Sequence, residues 1–277
     1  MRKDILNKIA IFFSLVLLIV LWAVSCQNSF FWDTVQLGSK HARVFYENNF
    51  SAILLPDEID SGHIPAFGCH IALFWKLFDK TLFVSHLAIL PFIVGLFWQT
   101  VLLVKKFVPK ENVGITTLLI LLTPTLLGQI TLVSPDVPLV FFFLMAANAV
   151  LSNNKWLISC AIACLFLTSM RGMMIAVCLF ILDGYANKLF SKNIRILIPN
   201  LFKRAWIYTP AILIFIVFNV YHYTAKGWIG YHANSPWADA FERVDFSGFL
   251  KNVAILIWRF LDYGKAFRLA NRNNYLK

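Results

Sequence analysis

Residues 81–104 read TLFVSHLAILPFIVGLFWQTVLLV and stop at Lys105 and Lys106. A run near or above about 18 apolar residues is long enough for a helix to span the hydrocarbon of a bilayer. This run has company. Apolar stretches also cover residues 5–25, behind Arg2, Lys3 and Lys8, and residues 113–130, with Pro124 inside. Further runs lie at 137–151, 156–169, 172–187 and 205–223, and a weaker one, carrying Arg259, at 249–262. The pattern predicts an all-α fold: a polytopic transmembrane helical bundle of about eight spans, forming one domain over residues 1–277.

Composition agrees. The chain is 59% hydrophobic and 14% charged, whereas a soluble domain carries about a quarter charged residues. Its formal charge of +11 raises the question of nucleic acid, so where the charge sits matters. With the N-terminus in the cytoplasm, Lys105, Lys106, Lys110, Lys155, Lys188, Lys192, Arg195, Lys203 and Arg204 all fall inside. So do Lys265, Arg268, Arg272 and Lys277. Basic residues biased to one side are the positive-inside signature of membrane topology. The charge therefore points to lipid headgroups and not to nucleic acid, and the expected location is a bacterial inner membrane.

The same topology sorts the acids. Asp33, Glu47, Asp57, Glu58, Asp60, Asp79, Asp136, Asp239, Glu242 and Asp245 fall outside; Asp4, Glu111, Asp183 and Asp262 fall inside or at the inner boundary. The chemistry is expected on the acidic, outer side. Cys26 and Cys69 both lie there, so a shared side permits a disulfide. The start of the chain imitates a signal peptide, ending in AVSC at residues 23–26. Its apolar run exceeds the usual 7–15 residues of such a segment, which favours a retained helix.

The first outer loop, residues 27–80, is expected to hold two juxtamembrane helices, at 30–50 and 65–78, with Pro65 in a first turn. Their aromatic residues suit the headgroup level. Asp33 reads either as a helix cap or as a general base. In DSGHIP, residues 60–65, Asp60 and His63 form either a plain turn or a carboxylate–imidazole site able to orient a group or bind a divalent ion. Asp136, between Pro135 and Pro138, is a turn residue or a functional acid at a cavity mouth. Arg171 either snorkels to the headgroups or binds a lipid phosphate with its planar donor fork. The second outer loop, 225–248, carries Trp228, Tyr231, His232 and Trp237, a sugar-stacking surface or an aromatic belt.

Taken in order, the first span, the early acid Asp33, the juxtamembrane helices, GHIP at 62–65 and TPTLLGQITLVSPDVPLVFFFL at 123–144 resemble the polytopic GT-C glycosyltransferases. The nearest group is the bacterial family related to dolichyl-phosphate-mannose protein mannosyltransferases and lipid A aminoarabinose transferases. The resemblance covers about residues 1–185, and GWIGYHANSPW and WRFLDYGKAF look like segments of some members. It rests on order and topology, not on one specific motif. It implies sugar transfer, on the outer face, from a polyprenyl-phosphate donor to a hydroxyl of a glycan, lipid or protein acceptor.

On that resemblance Asp33 is the base and Asp136 the second catalytic acid. Asp60, His63, Arg171 and Trp228 contact substrate, and Asp33, Asp136 and His63 are the candidates for holding a divalent metal ion. Two departures stand out. The family's Asp-Glu pair is Asp33-Thr34 here, and members usually continue with more spans and an outer domain, so a shortened chain is expected. Two other functions compete: an ion-coupled transporter or lipid flippase, and a truncated, non-catalytic membrane subunit. Transporters place ionisable groups near the bilayer midplane; these spans carry theirs at the rim.

Overall fold

The computed structural model describes residues 2–190, 194–230, 232 and 244–261. By internal contacts the chain falls into two units, residues 1–235 and 236–277. Every described element is helical.

In the first unit, α1 (Arg2–Ser25) is followed by a π-helical turn at Val35–Lys40, α2 (His41–Glu47) and α3 (Ala66–Phe78). Next come α4 (Leu82–Leu87), α5 (Leu90–Phe107), α6 (Val113–Leu121) and α7 (Pro124–Ile130). The unit closes with α8 (Asp136–Leu151), α9 (Lys155–Thr168), α10 (Met170–Ala186), α11 (Ile194–Ala205) and α12 (Thr209–Lys226).

Three helical stretches among the described residues are long and apolar enough to cross a membrane: Asp4–Ser25, Leu82–Phe107 and Ile198–Lys226. The run at 113–130 is not straight. Its two helices, Lys110–Leu121 and Pro124–Ile130, meet at 67° and make a fourth crossing if taken as one broken span. Pro124 explains the break: it lacks an N–H and disfavours helical backbone in the residue before it. Thr123 accordingly leaves the helical region, with ψ 122°, and Pro124 opens a new helix. The runs at 137–151, 156–169 and 172–187 form helices of 16, 14 and 17 residues. At about 1.5 Å per residue each is shorter than a hydrocarbon core of about 30 Å.

Contacts sort the bundle into two ends. At one end the Trp22 indole donates to the His86 carbonyl (2.9 Å), tying the end of α1 to α4. There too Arg171 at the start of α10 pairs with Asp136 at the start of α8 (2.8 Å), and Lys226 at the end of α12 meets Asp57 and Asp60. At the other end Asn7 of α1 caps the backbone of Gly114 in α6. Lys106 of α5 donates to the Asn148 carbonyl (2.8 Å) and the Ser152 hydroxyl (2.9 Å), and Arg204 pairs with Asp183 (2.7 Å). Asp57, Asp60 and Asp136 gather at the first end, the loop end; Lys105, Lys106, Lys110 and Lys155 gather at the second.

Both expected juxtamembrane helices form, as the π turn with α2 and as α3. Their packing depends on Gly68. A Cβ there would stand 2.4 Å from the Cβ of His41 and 3.0 Å from the His41 carbonyl carbon, so only a glycine lets α3 lie against the α2 backbone. Phe45, Phe67, Ile71 and Trp75 bury the seam, and the Trp75 indole donates to Ser85 of α4 (2.8 Å). A second core joins α8, α9, α10 and α12 through Ala146, Ala149, Ile158, Ala161, Ile162 and Leu165. Small side chains let these helices approach closely. Cys26 and Cys69 are free thiols.

The second unit contributes one described helix, α13 (Phe246–Leu261). Tyr231, Trp237, Asp239, Glu242 and Asp262, named in the sequence reading, lie outside the described residues, as do Lys265, Arg268, Arg272 and Lys277.

Candidate functional site

The loop after α2 turns back through Pro56, whose carbonyl accepts from the Ile59 and Asp60 amides (3.1 and 2.9 Å). That turn puts Asp60 under the end of α12. Asp60 is 2% exposed, a costly place for a carboxylate without partners. It has them. One oxygen accepts from the Gly62 amide (2.8 Å). The other accepts from Lys226 Nζ (2.6 Å) and His222 Nε2 (3.1 Å). Gly62 reaches this position with φ +69°, and a Cβ on it would be 2.9 Å from Gly230 Cα; glycine alone accommodates both demands.

Lys226 gathers more of the same loop. It also donates to Asp57 (2.8 Å) and to the Leu55 carbonyl (2.5 Å). Its hydrogen bond holds the Asp57 carboxyl below the usual range. His222 Nδ1 faces the Trp228 carbonyl (2.9 Å). The Trp228 ring packs edge-on against His222 (centroids 4.4 Å), takes Lys226 Nζ at 5.4 Å and lies 5.3 Å from the His232 ring. Its indole N–H is buried near Asp57, close enough to help hold that carboxyl down, yet outside hydrogen-bond geometry. Three neighbours thus occupy the stacking residue of the sequence reading.

His63 bridges this cluster and a second one. Its Nδ1 faces the carbonyl and hydroxyl oxygens of Ser61 (both 3.0 Å), and Nε2 has no partner among the described residues. Burial, above all, pushes its pKa down; the Ser61 hydrogen bond opposes that, the positive field of Arg171 adds to it, and Asp60 pulls the other way. A neutral ring donating through Nδ1 leaves Nε2 as an open acceptor. Arg171 is anchored by a single nitrogen on Asp136, and its side chain is 59% exposed. The rest of its donor fork faces outward, able to meet a phosphate. Asp33 stands apart from both clusters: it is exposed and makes no hydrogen bond or ion pair with any described residue.

His41 supports the site from below. It is 2% exposed, and its Nε2 donates to the Ile59 carbonyl (3.0 Å), which also accepts from Gln36 (2.7 Å). Burial drives its pKa down to about 4, against the opposing pull of Ile59 and Asp60. A depressed histidine binds its proton more weakly folded than unfolded. Its contribution is therefore complete above about pH 6.5, falls as the pH drops, and is gone near pH 4. Thermal unfolding in detergent from pH 7 to 4 should lose about 3 kcal/mol through this group. His41→Gln should flatten that segment of the profile; an unchanged slope would remove His41 from it.

An apolar groove runs beside the polar clusters. One part, about 510 Å³, lies between Ile53 and Ile64 of the loop, Leu167 of α9, and Leu213, Ile214, Val217, Phe218 and Tyr221 of α12. A second, about 210 Å³, shares Ile53, Ile64 and Phe218 and continues to Phe45, Phe50 and Cys69. The Phe218 and His222 ring centroids are 5.7 Å apart, so the groove and the buried charges are neighbours.

The structure brings together Asp60 with Trp228, and Asp136 with Arg171, and sets His63 in the field of both. It does not gather Asp33, Asp136 and His63 into one donor set; among the described residues no three His, Cys, Asp or Glu side chains form a metal cluster. His222 and Lys226 were not singled out in the sequence, although VYHYTAK at the end of the 205–223 run places them four apart on one helix face. No family model, curated protein or solved structure matches the chain.

Proposed function

We propose that the chain is a membrane glycosyltransferase of the GT-C kind, with its loop end on the outer face of a bacterial inner membrane and its N-terminus in the cytoplasm. The observation that carries this reading is the neighbourhood at that end. Open polar groups adjoin a long apolar groove, which fits a substrate with a charged head and a hydrocarbon tail. A polyprenyl-phosphate sugar is such a substrate. Its tail would lie along Phe218, Val217 and Ile53, and its phosphate would meet the open fork of Arg171. The shorter helices α8, α9 and α10 would cross beside the long spans.

Transfer joins an acceptor hydroxyl to the anomeric carbon while the lipid phosphate leaves, and the hydroxyl proton must go to a base. Direct displacement inverts the anomeric centre. Two groups can take the proton, Asp33 and His63 Nε2. The geometry favours His63, which is neutral and lies in the field of the arginine that would hold the leaving phosphate; Asp33 then receives the acceptor at the rim. Asp136 orients Arg171. General-base catalysis contributes about 10²–10⁴-fold. His63→Gln should therefore cut the turnover of lipid-linked sugar in membranes by at least about 100-fold, and Asp33→Asn should cut it less. A reversed order would return the base role to Asp33. No turnover by the unaltered chain with any polyprenyl-phosphate sugar would end the glycosyltransferase reading, and uptake driven by a proton gradient would replace it with the transporter.

A further inference from the structure

Helix α13 carries a different kind of surface. Asp245 fixes its start, accepting from the Gly248 amide through its carboxylate (2.7 Å) and from the Phe249 amide through its carbonyl (2.9 Å). From there Phe246, Phe249, Leu250, Val253, Leu256 and Ile257 recur at helical spacing on one side. Each is exposed, from 36% at Val253 to 75% at Phe246. Lys251 takes the opposite side with Gly248, and Asn252 lies at the flank; Ile255 and Trp258 break the pattern on the opposite side.

Such a helix can cross a membrane, pack on protein or lie along a lipid surface. Crossing is disfavoured, because it would put the Lys251 side into hydrocarbon. Charge decides between the other two. From Phe246 to Lys277 the sequence has six basic residues and one acid, the balance that suits anionic headgroups.

We infer that α13 is an interfacial anchor, lying flat in the headgroup region of an anionic membrane with the Phe249–Val253–Leu256 side turned into the acyl chains. Helices of this kind bury the apolar side about 5–10 Å below the phosphates. The inference is independent of the enzymatic reading, because it uses no residue of the site.

The test uses the full chain, its five native cysteines replaced by serine, in vesicles of three parts phosphatidylcholine to one part phosphatidylglycerol. Spin labels are placed singly through Phe249→Cys, Val253→Cys, Leu256→Cys and Lys251→Cys. Collisions with oxygen and with a water-soluble nickel chelate then report depth. The expected result is one shared shallow depth at 249, 253 and 256, and aqueous exposure at 251. In phosphatidylcholine alone the three labels should become more exposed to nickel. Depth increasing steadily from 249 to 256 would show a crossing helix. Labels shielded from both oxygen and nickel would show a protein partner. Either outcome overturns the anchor.

Discussion

Arg204→Ala should lower the stability of the bundle by about 3–5 kcal/mol, the usual cost of leaving one member of a buried ion pair behind. The member left is Asp183, with no exposed surface. In the native chain its carboxylate accepts from Arg204 Nε and Nη2 (both 2.7 Å), Asn187 Nδ2 (2.7 Å) and Tyr208 Oη (3.2 Å). Alanine removes two charge-assisted bonds at once and leaves a charge that two neutral donors cannot compensate. The double variant Arg204→Met with Asp183→Leu should regain most of the loss, because a buried pair exchanged for apolar groups of similar volume is often neutral. Thermal unfolding in detergent reads both. A single variant within about 0.5 kcal/mol of the native protein would mean that water reaches Asp183 and that the α10–α11 contact is looser than described.

Lys226→Met should be nearly as damaging, with its effect confined to the loop end. The ammonium bonds Asp57, Asp60 and the Leu55 carbonyl together, and Asp60 is buried beneath it. Its loss should cost about 3 kcal/mol and open residues 54–63 to proteolysis. Asp57 contributes little, since its side chain is 45% exposed and water screens that pair. Adding Asp60→Asn to Lys226→Met should recover part of the loss, because it removes the stranded charge. The coupling between the two sites should exceed about 1 kcal/mol. Strictly additive effects would show that the Lys226–Asp60 contact does not hold the loop.

How much of this was legible in the residues follows from what each pattern encodes. Uniform apolar runs announce helices, and they located α1, the α4–α5 stretch and α12 within a few residues. Hydropathy does not encode length against a curved or bent path. The run at 113–130 thus concealed a 67° break, although Pro124 marks the place. The separation of part of the charge was legible: Asp57, Asp60 and Asp136 share one end of the bundle, and Lys105, Lys106 and Lys110 the other. Pro65 and the aromatic spacing gave away α3.

The site was legible only in part. Asp60, His63, Asp136 and Arg171 stood out because ionisable groups are rare between apolar runs. Their partners did not, since pairing across 162 and 166 residues, as between Asp60 and His222 or Lys226, depends on how helices pack and leaves no local trace. Asp33 was weighted by its place in the chain order, and the structure leaves its carboxylate exposed and unbonded among the described residues.

The central claim is that the end carrying Asp60, His63 and Arg171 faces away from the cytoplasm. Cysteine labelling in spheroplasts tests it directly, with Glu58→Cys and Lys110→Cys made singly on a cysteine-free background. Both positions are exposed, at opposite ends of the bundle. A membrane-impermeant maleimide should label Glu58→Cys in sealed spheroplasts and Lys110→Cys only after permeabilisation. Labelling in the reverse order would put the site in the cytosol and contradict the proposed outer-face transfer.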